Sequence, residues 1–112
     1  MKFFISAYLP DDFDPSTMDE QVGRNIHAFN AELEAAGALF FACGLGPAQT
    51  VSAQSGGDSL VTDGPYLETK EHIGGFLIID AASMEEALDW ARKGAIAAGG
   101  TVEVRPIFFN EG

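Results

Sequence analysis

The sequence has one cysteine and no long apolar segment. Because Cys43 stands alone among 112 residues, no disulfide can form within the chain. Its apolar surroundings, "GALFFACG", indicate a small buried residue rather than a nucleophile. That run is far shorter than the ~20 residues needed to span a bilayer. The start, "MKFFISAYLPDD", lacks an apolar stretch followed by a small-residue cleavage site. We therefore expect a cytoplasmic protein in which the whole sequence is retained in the mature chain.

Basic residues are also scarce. The sequence has six Lys and Arg and 17 Asp and Glu, which gives a formal net charge of −11. Such a field repels phosphate backbones and anionic lipid, so we expect neither nucleic acid nor membrane as a partner. The segment "GLGPAQ" carries Gln49 where a dinucleotide-binding loop needs its last glycine. With two histidines and one cysteine at no close ligand spacing, the sequence predicts neither a metal site nor a cofactor.

What remains is a globular pattern, with 46% hydrophobic residues in a length that suits one domain over residues 1–112. Strands are predicted at 2–9, 38–43, 76–80 and 101–109, with a hairpin of 50–53 and 59–62. A first helix is predicted from about Ser16 to Ala36, and a second opens at the Ser83-x-x-Glu86 capping box and ends at Gly99. The expected core positions of the two helices are Val22, Ile26, Phe29, Leu33 and Ala36, and Met84, Ala87, Leu88, Ala91 and Ala95.

The element order is β-α-β, an inserted hairpin, then β-α-β. It predicts an α+β, ferredoxin-like sheet with both helices on one face. Two helices cannot cover both faces, yet the strand at 76–79 is apolar on both sides. We therefore expect a second copy of the chain to cover the other face, as a homodimer. Two sheets packed in this way would enclose a cleft lined by Tyr8, Glu103 and Arg105.

Several motifs together resemble a known family. The stretch "TDGPYLETKEHIGGFLIID" resembles the signature of the YCII-related family, in the DGPF branch named after its Asp-Gly-Pro-Phe motif, with Tyr66 in place of the usual Phe. The segments "FNAELEAAGAL", "EEALDWA" and "GGTVEVRPI" are similar to that family as well. The resemblance implies a dimeric α/β barrel. It implies little about activity: relatives include a dehydrochlorinase-type lyase acting on a hydroxylated aromatic ring, and branch members are often encoded beside extracytoplasmic-function sigma factors.

The loop from residue 63 to 72 is unusually rich in ionisable side chains. Asp63 could act as a general acid or base at a strand end, or its side chain could cap the Gly-Pro turn that follows. Lys70 could hold an anionic substrate and Glu68 could take a proton. Alternatively, these charges and Glu71 form local ion pairs that order the loop.

His27 is the other candidate for proton transfer. It lies on a flank of the first helix, beside the predicted core face. The resemblance makes it a plausible counterpart of a helix histidine in a more distant branch of the family, with a solvated flank residue as the alternative. Asp11, Asp12 or Asp14 could orient it, or they could cap the helix. Trp90 is predicted at a half-buried edge or on a contact surface.

Two functions are compatible with these observations. In the first, a small organic or aromatic acid binds in the dimer cleft and undergoes cofactor-free elimination or isomerisation. Asp63 or His27 would move protons, and the predicted substrate-binding residues are Tyr8, Tyr66, Glu68, Lys70 and Arg105. In the second, the protein is a non-catalytic regulatory module that binds a protein partner, in association with a sigma factor. The sequence alone does not choose between them.

Overall fold

A computed structural model describes residues 1–10, 16, 18–65 and 71–108 of the chain. The elements follow in the order β1 (Lys2–Pro10), α1 (Glu20–Ala35), β2 (Leu39–Gly44), β3 (Gln49–Ala53), β4 (Ser59–Asp63), β5 (Glu71–Asp80), α2 (Met84–Ala98) and β6 (Val102–Pro106). Within these ranges, neither helix has the length and apolarity that a bilayer crossing requires.

Four strands form the main sheet, in the order β2-β5-β1-β6, and each neighbouring pair is antiparallel. Strands β3 and β4 form a second, two-stranded antiparallel sheet, a hairpin that we call the arm. This is the α+β arrangement of two helices and antiparallel strands expected from the sequence. Its strand order is compatible with a ferredoxin-like fold, with the arm inserted between β2 and β5.

Helix α1 begins later than its apolar pattern predicts. The side chain of Asp19 accepts a hydrogen bond of 2.7 Å from the backbone N–H of Gln21, so Asp19 is the N-cap and the helix starts at Glu20. Asp is among the residues favoured at the N-cap, and this hydrogen bond sets the start of the helix, which apolar spacing alone does not define. The end of the helix is as predicted, because Gly37 adopts φ +70°, which few other residues tolerate.

Helix α2 begins with the predicted capping box. The Ser83 hydroxyl accepts from the N–H of Glu86 at 3.2 Å, and the Glu86 carboxylate accepts from the N–H of Ala82 at 3.1 Å. Two backbone donors at the helix start are thereby satisfied. The helix ends at Gly99, as predicted.

Both helices pack on one face of the main sheet. The buried core consists of Phe3, Ile5, Phe29, Leu33, Ala38, Ile79, Ala81, Ala87 and Ala91. Phe3 pairs with Ile79 across β1 and β5, so their side chains share that face. Two predicted core positions of α2 were wrong: Met84 is 37% exposed and Leu88 is 38% exposed. The contact is instead made by small residues, Ala87 and Ala91, which let α2 approach the sheet closely.

Candidate functional site

The other face of the main sheet carries an aromatic patch. Phe4 pairs with Ile78, and Ser6 pairs with Phe76. Phe76 lies 5.0 Å from Phe4 and 5.9 Å from Phe41, measured between ring centroids. Since paired residues point to the same side of a sheet, these side chains lie opposite the core, where neither helix covers them. We call this surface the open face; it consists of Phe4, Ser6, Tyr8, Phe41, Phe76, Ile78, Glu103 and Arg105.

Four polar side chains form a connected set at one side of the open face. The hydroxyl of Tyr8 hydrogen-bonds to Glu103, and the buried hydroxyl of Ser6 hydrogen-bonds to Tyr8. Arg105 donates from Nη2 to Glu103 Oε2 at 3.2 Å. The structure therefore brings together Tyr8 and Arg105, two of the predicted binding residues, with Glu103 between them. We call Tyr8, Glu103 and Arg105 the polar triad.

The triad fixes the protonation of its members. The hydrogen bond to Glu103 and desolvation raise the pKa of Tyr8 above its usual value of 10.0. The hydrogen bonds from Tyr8 and Arg105 lower the pKa of Glu103 below 4.5, against a smaller opposing effect of desolvation. At neutral pH, Tyr8 is thus a neutral donor and Glu103 a charged acceptor. The triad can bind a polar group and donate a proton, but it contains no base poised near pH 7.

Titration of Tyr8 is a direct check of this arrangement. The chain has two tyrosines, so Tyr66→Phe leaves Tyr8 as the only phenol that ionises. Ultraviolet absorbance should then give a pKa above 10.0, and adding Glu103→Gln should bring it down because the neighbouring negative charge is lost. Glu85→Gln on α2, as the matched control, should leave the pKa of Tyr8 unchanged. A pKa at or below 10.0 with Glu103 intact would contradict the hydrogen bond.

The same pair sets the direction of a pH effect on stability. A lowered pKa of Glu103 in the folded state contributes stability that is present above pH ~4.5 and is lost as pH falls through the folded value. A raised pKa of Tyr8 contributes stability below pH ~10 that is lost as pH rises through its folded value. Both groups are solvent-accessible, so these contributions are small at physiological salt.

A pocket of about 580 Å³, open to solvent on one side, lies between the helices and the main sheet; we call it the cavity. Val22 and Ile26 of α1 were predicted to belong to the core, but they are only half-buried and line this cavity. The cleft predicted from the sequence lies between the sheets of two copies. This cavity lies instead on the side of the sheet that the helices cover, within one chain. The predicted cleft requires a second copy, and so it stays a prediction.

Asp63 ends β4 at the base of the arm and is exposed. Its carboxylate accepts a hydrogen bond of 3.1 Å from the side-chain amide of Gln49 on β3. Next to it, the N–H of Gly64 donates to the carbonyl of Ala48, and the hydroxyl of Thr50 donates to the carbonyl of Gly64. Its side chain thus bonds across the arm to Gln49, and both of its predicted roles, in proton transfer and in capping the Gly-Pro turn, stay predictions.

His27 is exposed on α1 and does not line the cavity. It lies on a different element from Asp63, and neither residue belongs to the open face. Catalysis by either remains a prediction. Tyr66, Glu68 and Lys70, with the acidic residues Asp11, Asp12 and Asp14, lie outside the described residues, and their predicted roles also remain predictions. In the ranges that the structure describes, no three His, Cys, Asp or Glu side chains are grouped so that they could hold a metal ion.

Trp90 is half-buried, as one of its two predicted environments required. Its ring lies 6.4 Å from that of Phe29, centroid to centroid, and the Lys93 ammonium lies 5.3 Å from its ring. Much of the indole is therefore used in packing the two helices together.

Comparison with known proteins identifies the family of this chain. The model of the YCII-related domain matches residues 1–109. An uncharacterised protein of Rhizobium meliloti (strain 1021) is 41% identical over 93 residues, which cover 80% of this chain and 75% of that protein. A family match over nearly the whole chain and a relative at this level of identity lead to one conclusion: the chain belongs to the YCII-related family.

Proposed function

We propose that the protein functions as a homodimer in which the open faces of two copies pack together, and that it binds a small organic or aromatic acid beside the polar triad. The observation that carries this proposal is the uncovered aromatic face. Phe41 is 49% exposed there, its ring beside that of Phe76, which also contacts Phe4, and the neighbouring Phe40 is 63% exposed. Contiguous exposed aromatic side chains of this kind are typical of interfaces.

Charge favours a second copy as the partner. The chain carries a net charge of −11, which opposes self-association in general. On the side of the sheet that bears the open face, however, two ion pairs offset opposite charges. Lys2 Nζ lies 2.6 Å from the Asp80 carboxylate, and Arg105 is paired with Glu103. Two identical, locally neutral surfaces can approach each other in the symmetric arrangement that a dimer requires.

The shape of the chain points the same way. Its radius of gyration is 16.3 Å, whereas a compact domain of this length is expected near ~13 Å. The chain is also flat, with principal extents of 51 × 43 × 17 Å. A single sheet with helices on one side leaves its other face without a covering layer. Packing the open faces of two copies together would cover both.

The chemistry of the triad favours an acid as the ligand. The Arg105 guanidinium could bind a carboxylate in place of Glu103, and the neutral Tyr8 hydroxyl could donate to the same group. Phe4 and Phe76 would lie beside a ring or an alkyl portion. We also assign the chain to the DGPF branch, with its dimeric α/β barrel. This is supported by the Asp63-Gly64-Pro65 turn, where Gly64 adopts φ +97°.

Sedimentation equilibrium tests the assembly. The wild-type protein should have twice the chain mass of 11.9 kDa at micromolar concentration. Phe41→Glu should be monomeric yet folded, because its side chain is half-exposed and the substitution places a charge in the interface. Ile96→Glu on α2 is the matched control, since Ile96 is 80% exposed on a helix and the variant should remain dimeric. A monomeric wild type, or a dimeric Phe41→Glu, would contradict the interface.

Calorimetric titration with 4-methylbenzoate tests the acid site. Arg105→Gln should weaken binding about tenfold or more through loss of a charge-assisted hydrogen bond. The variant should keep the dimer mass, which separates loss of the ligand site from loss of the interface. Equal affinity in wild type and Arg105→Gln would remove Arg105 from the site.

A further inference from the structure

The cavity between the helices and the sheet is the second place where the molecule has room for a ligand. Its volume of about 580 Å³ lies in the range of small-molecule sites, which are themselves clefts open to solvent. Its walls come from three directions: Val22 and Ile26 on α1, Ala7 and Leu9 on β1, and Ala98 on α2.

Small residues keep this space open. Gly74 and Gly75 of β5 and Gly94 of α2 all line the cavity. A Cβ at Gly94 would lie 3.1 Å from the ring of Phe29. Glycine at this position therefore allows the ring to pack against α2 in the cavity wall. One at Gly74 would meet the side chain of Leu9 at 2.1 Å. Larger side chains at these positions would fill the cavity or push its walls apart.

Few of the described lining residues have polar side chains: Asp19, Asn30 and Cys43. Asn30, half-buried on α1, makes no side-chain hydrogen bond within the described part of the chain. Asp19 lines the cavity too, and one of its carboxylate oxygens accepts from the N–H of Gln21. No Lys or Arg is among the lining residues that the structure describes. With a carboxylate at the cavity and a chain charge of −11, an anion is disfavoured there.

We infer that this cavity binds a small, mainly apolar molecule that carries one neutral or cationic hydrogen-bond donor, such as a phenol or an alkylamine. The apolar body would occupy the space between Ala7, Ile26 and Ala98. Its donor would reach the amide oxygen of Asn30 or the free carboxylate oxygen of Asp19. This site is separate from the polar triad. It binds a neutral or cationic hydrogen-bond donor, whereas the triad binds an acid. All of the walls described here belong to one chain, so the inference does not depend on the dimer.

The probe for this site is p-cresol, with 4-methylbenzoate as an anion of similar shape. Titration followed by ¹⁵N–¹H correlation spectra should show p-cresol shifting the amide signals of Ile26, Asn30 and Gly94. It should leave Phe4 and Arg105 on the open face unshifted. The benzoate should leave the cavity signals in place. Shifts confined to the open face, or no p-cresol binding at millimolar concentration, would overturn the inference.

Three variants locate the site further. Ala7→Phe projects a ring into the cavity from β1 and should raise the Kd for p-cresol at least tenfold, with the spectrum of a folded protein. If that variant does not fold, Ala98→Leu fills the space from the opposite wall and should have the same effect. Asn30→Leu keeps the volume and should weaken p-cresol while sparing toluene, which has no donor. Unchanged p-cresol affinity in a folded filling variant would exclude the cavity.

Discussion

Phe3→Ala should lower the free energy of unfolding by about 3–5 kcal/mol, the range for truncating a fully buried phenylalanine. The ring of Phe3 is 0% exposed, and it packs with Ile79 beneath both helices. Much of the loss arises because β1 is a central strand, paired with β5 and β6, and cannot move to close the space left behind. Since small domains are stable by only ~5–15 kcal/mol in total, this variant should be close to unfolding at ambient temperature.

Urea denaturation followed by circular dichroism measures the loss. Phe108→Ala is the matched control, because the same ring is removed from a position that is 87% exposed. Its effect should stay within ~0.5 kcal/mol, as for surface substitutions elsewhere. A similar loss of unfolding free energy in both variants would mean that Phe3 does not lie in the buried core. Both should be compared at one protein concentration, because dimerisation adds to apparent stability.

The success of the sequence in placing β1 has a simple physical basis. A strand alternates its side chains, so Phe3 and Ile5 had to lie on one face, and Phe4, Ser6 and Tyr8 on the other. The polar triad follows from that alternation together with the register of β6, where Glu103 and Arg105 lie two residues apart. This part of the candidate site was predictable because every strand involved has a strict two-residue period.

Strand β5 was harder to read. The strand starts at Glu71 rather than at the predicted residue 76, because Gly74 and Gly75 are poor strand formers whose local preference favours a loop. In the structure they lie inside the strand, where β2 comes close. Local preference was overridden by a tertiary contact that the sequence does not show directly. A pair of glycines before an apolar run is itself a signal of close backbone approach.

The cavity could not be predicted from periodicity. The spacing of Val22, Ile26, Phe29 and Leu33 identifies the inner side of α1, but it does not say how far each turn lies from the sheet. Phe29 and Leu33 are buried, whereas Val22 and Ile26 are half-buried over a gap. Whether such a gap is filled depends on the side chains opposite, here Ala7, Gly74 and Gly75. The small size of those residues was the available signal, and its meaning depends on strand pairing.

Gly75→Ala should destabilise the protein by about 1–3 kcal/mol, the usual cost of forcing an extra group into a packed region. A Cβ at Gly75 would lie 2.8 Å from the carbonyl oxygen of Cys43 and 3.4 Å from the Cα of Gly44. Both are backbone atoms of β2, so relief requires β2 to shift against β5 rather than a side chain to rotate. Amide hydrogen exchange should therefore rise first along β2, before the rest of the sheet loses protection.

Gly23→Ala is the matched substitution, and it should act in the opposite direction. Gly23 lies inside α1, has an ordinary helical backbone, and has nothing within 4 Å of the added carbon. Alanine there should add about 0.5–1 kcal/mol, because glycine loses more backbone entropy than alanine when a helix forms. Adding the same methyl group thus changes the stability in opposite directions at the two glycines. Its effect is set by what surrounds it: open space at Gly23, and the carbonyl of a neighbouring strand at Gly75. Equal shifts of the two denaturation midpoints would mean that β2 and β5 are not packed as closely as the structure has them.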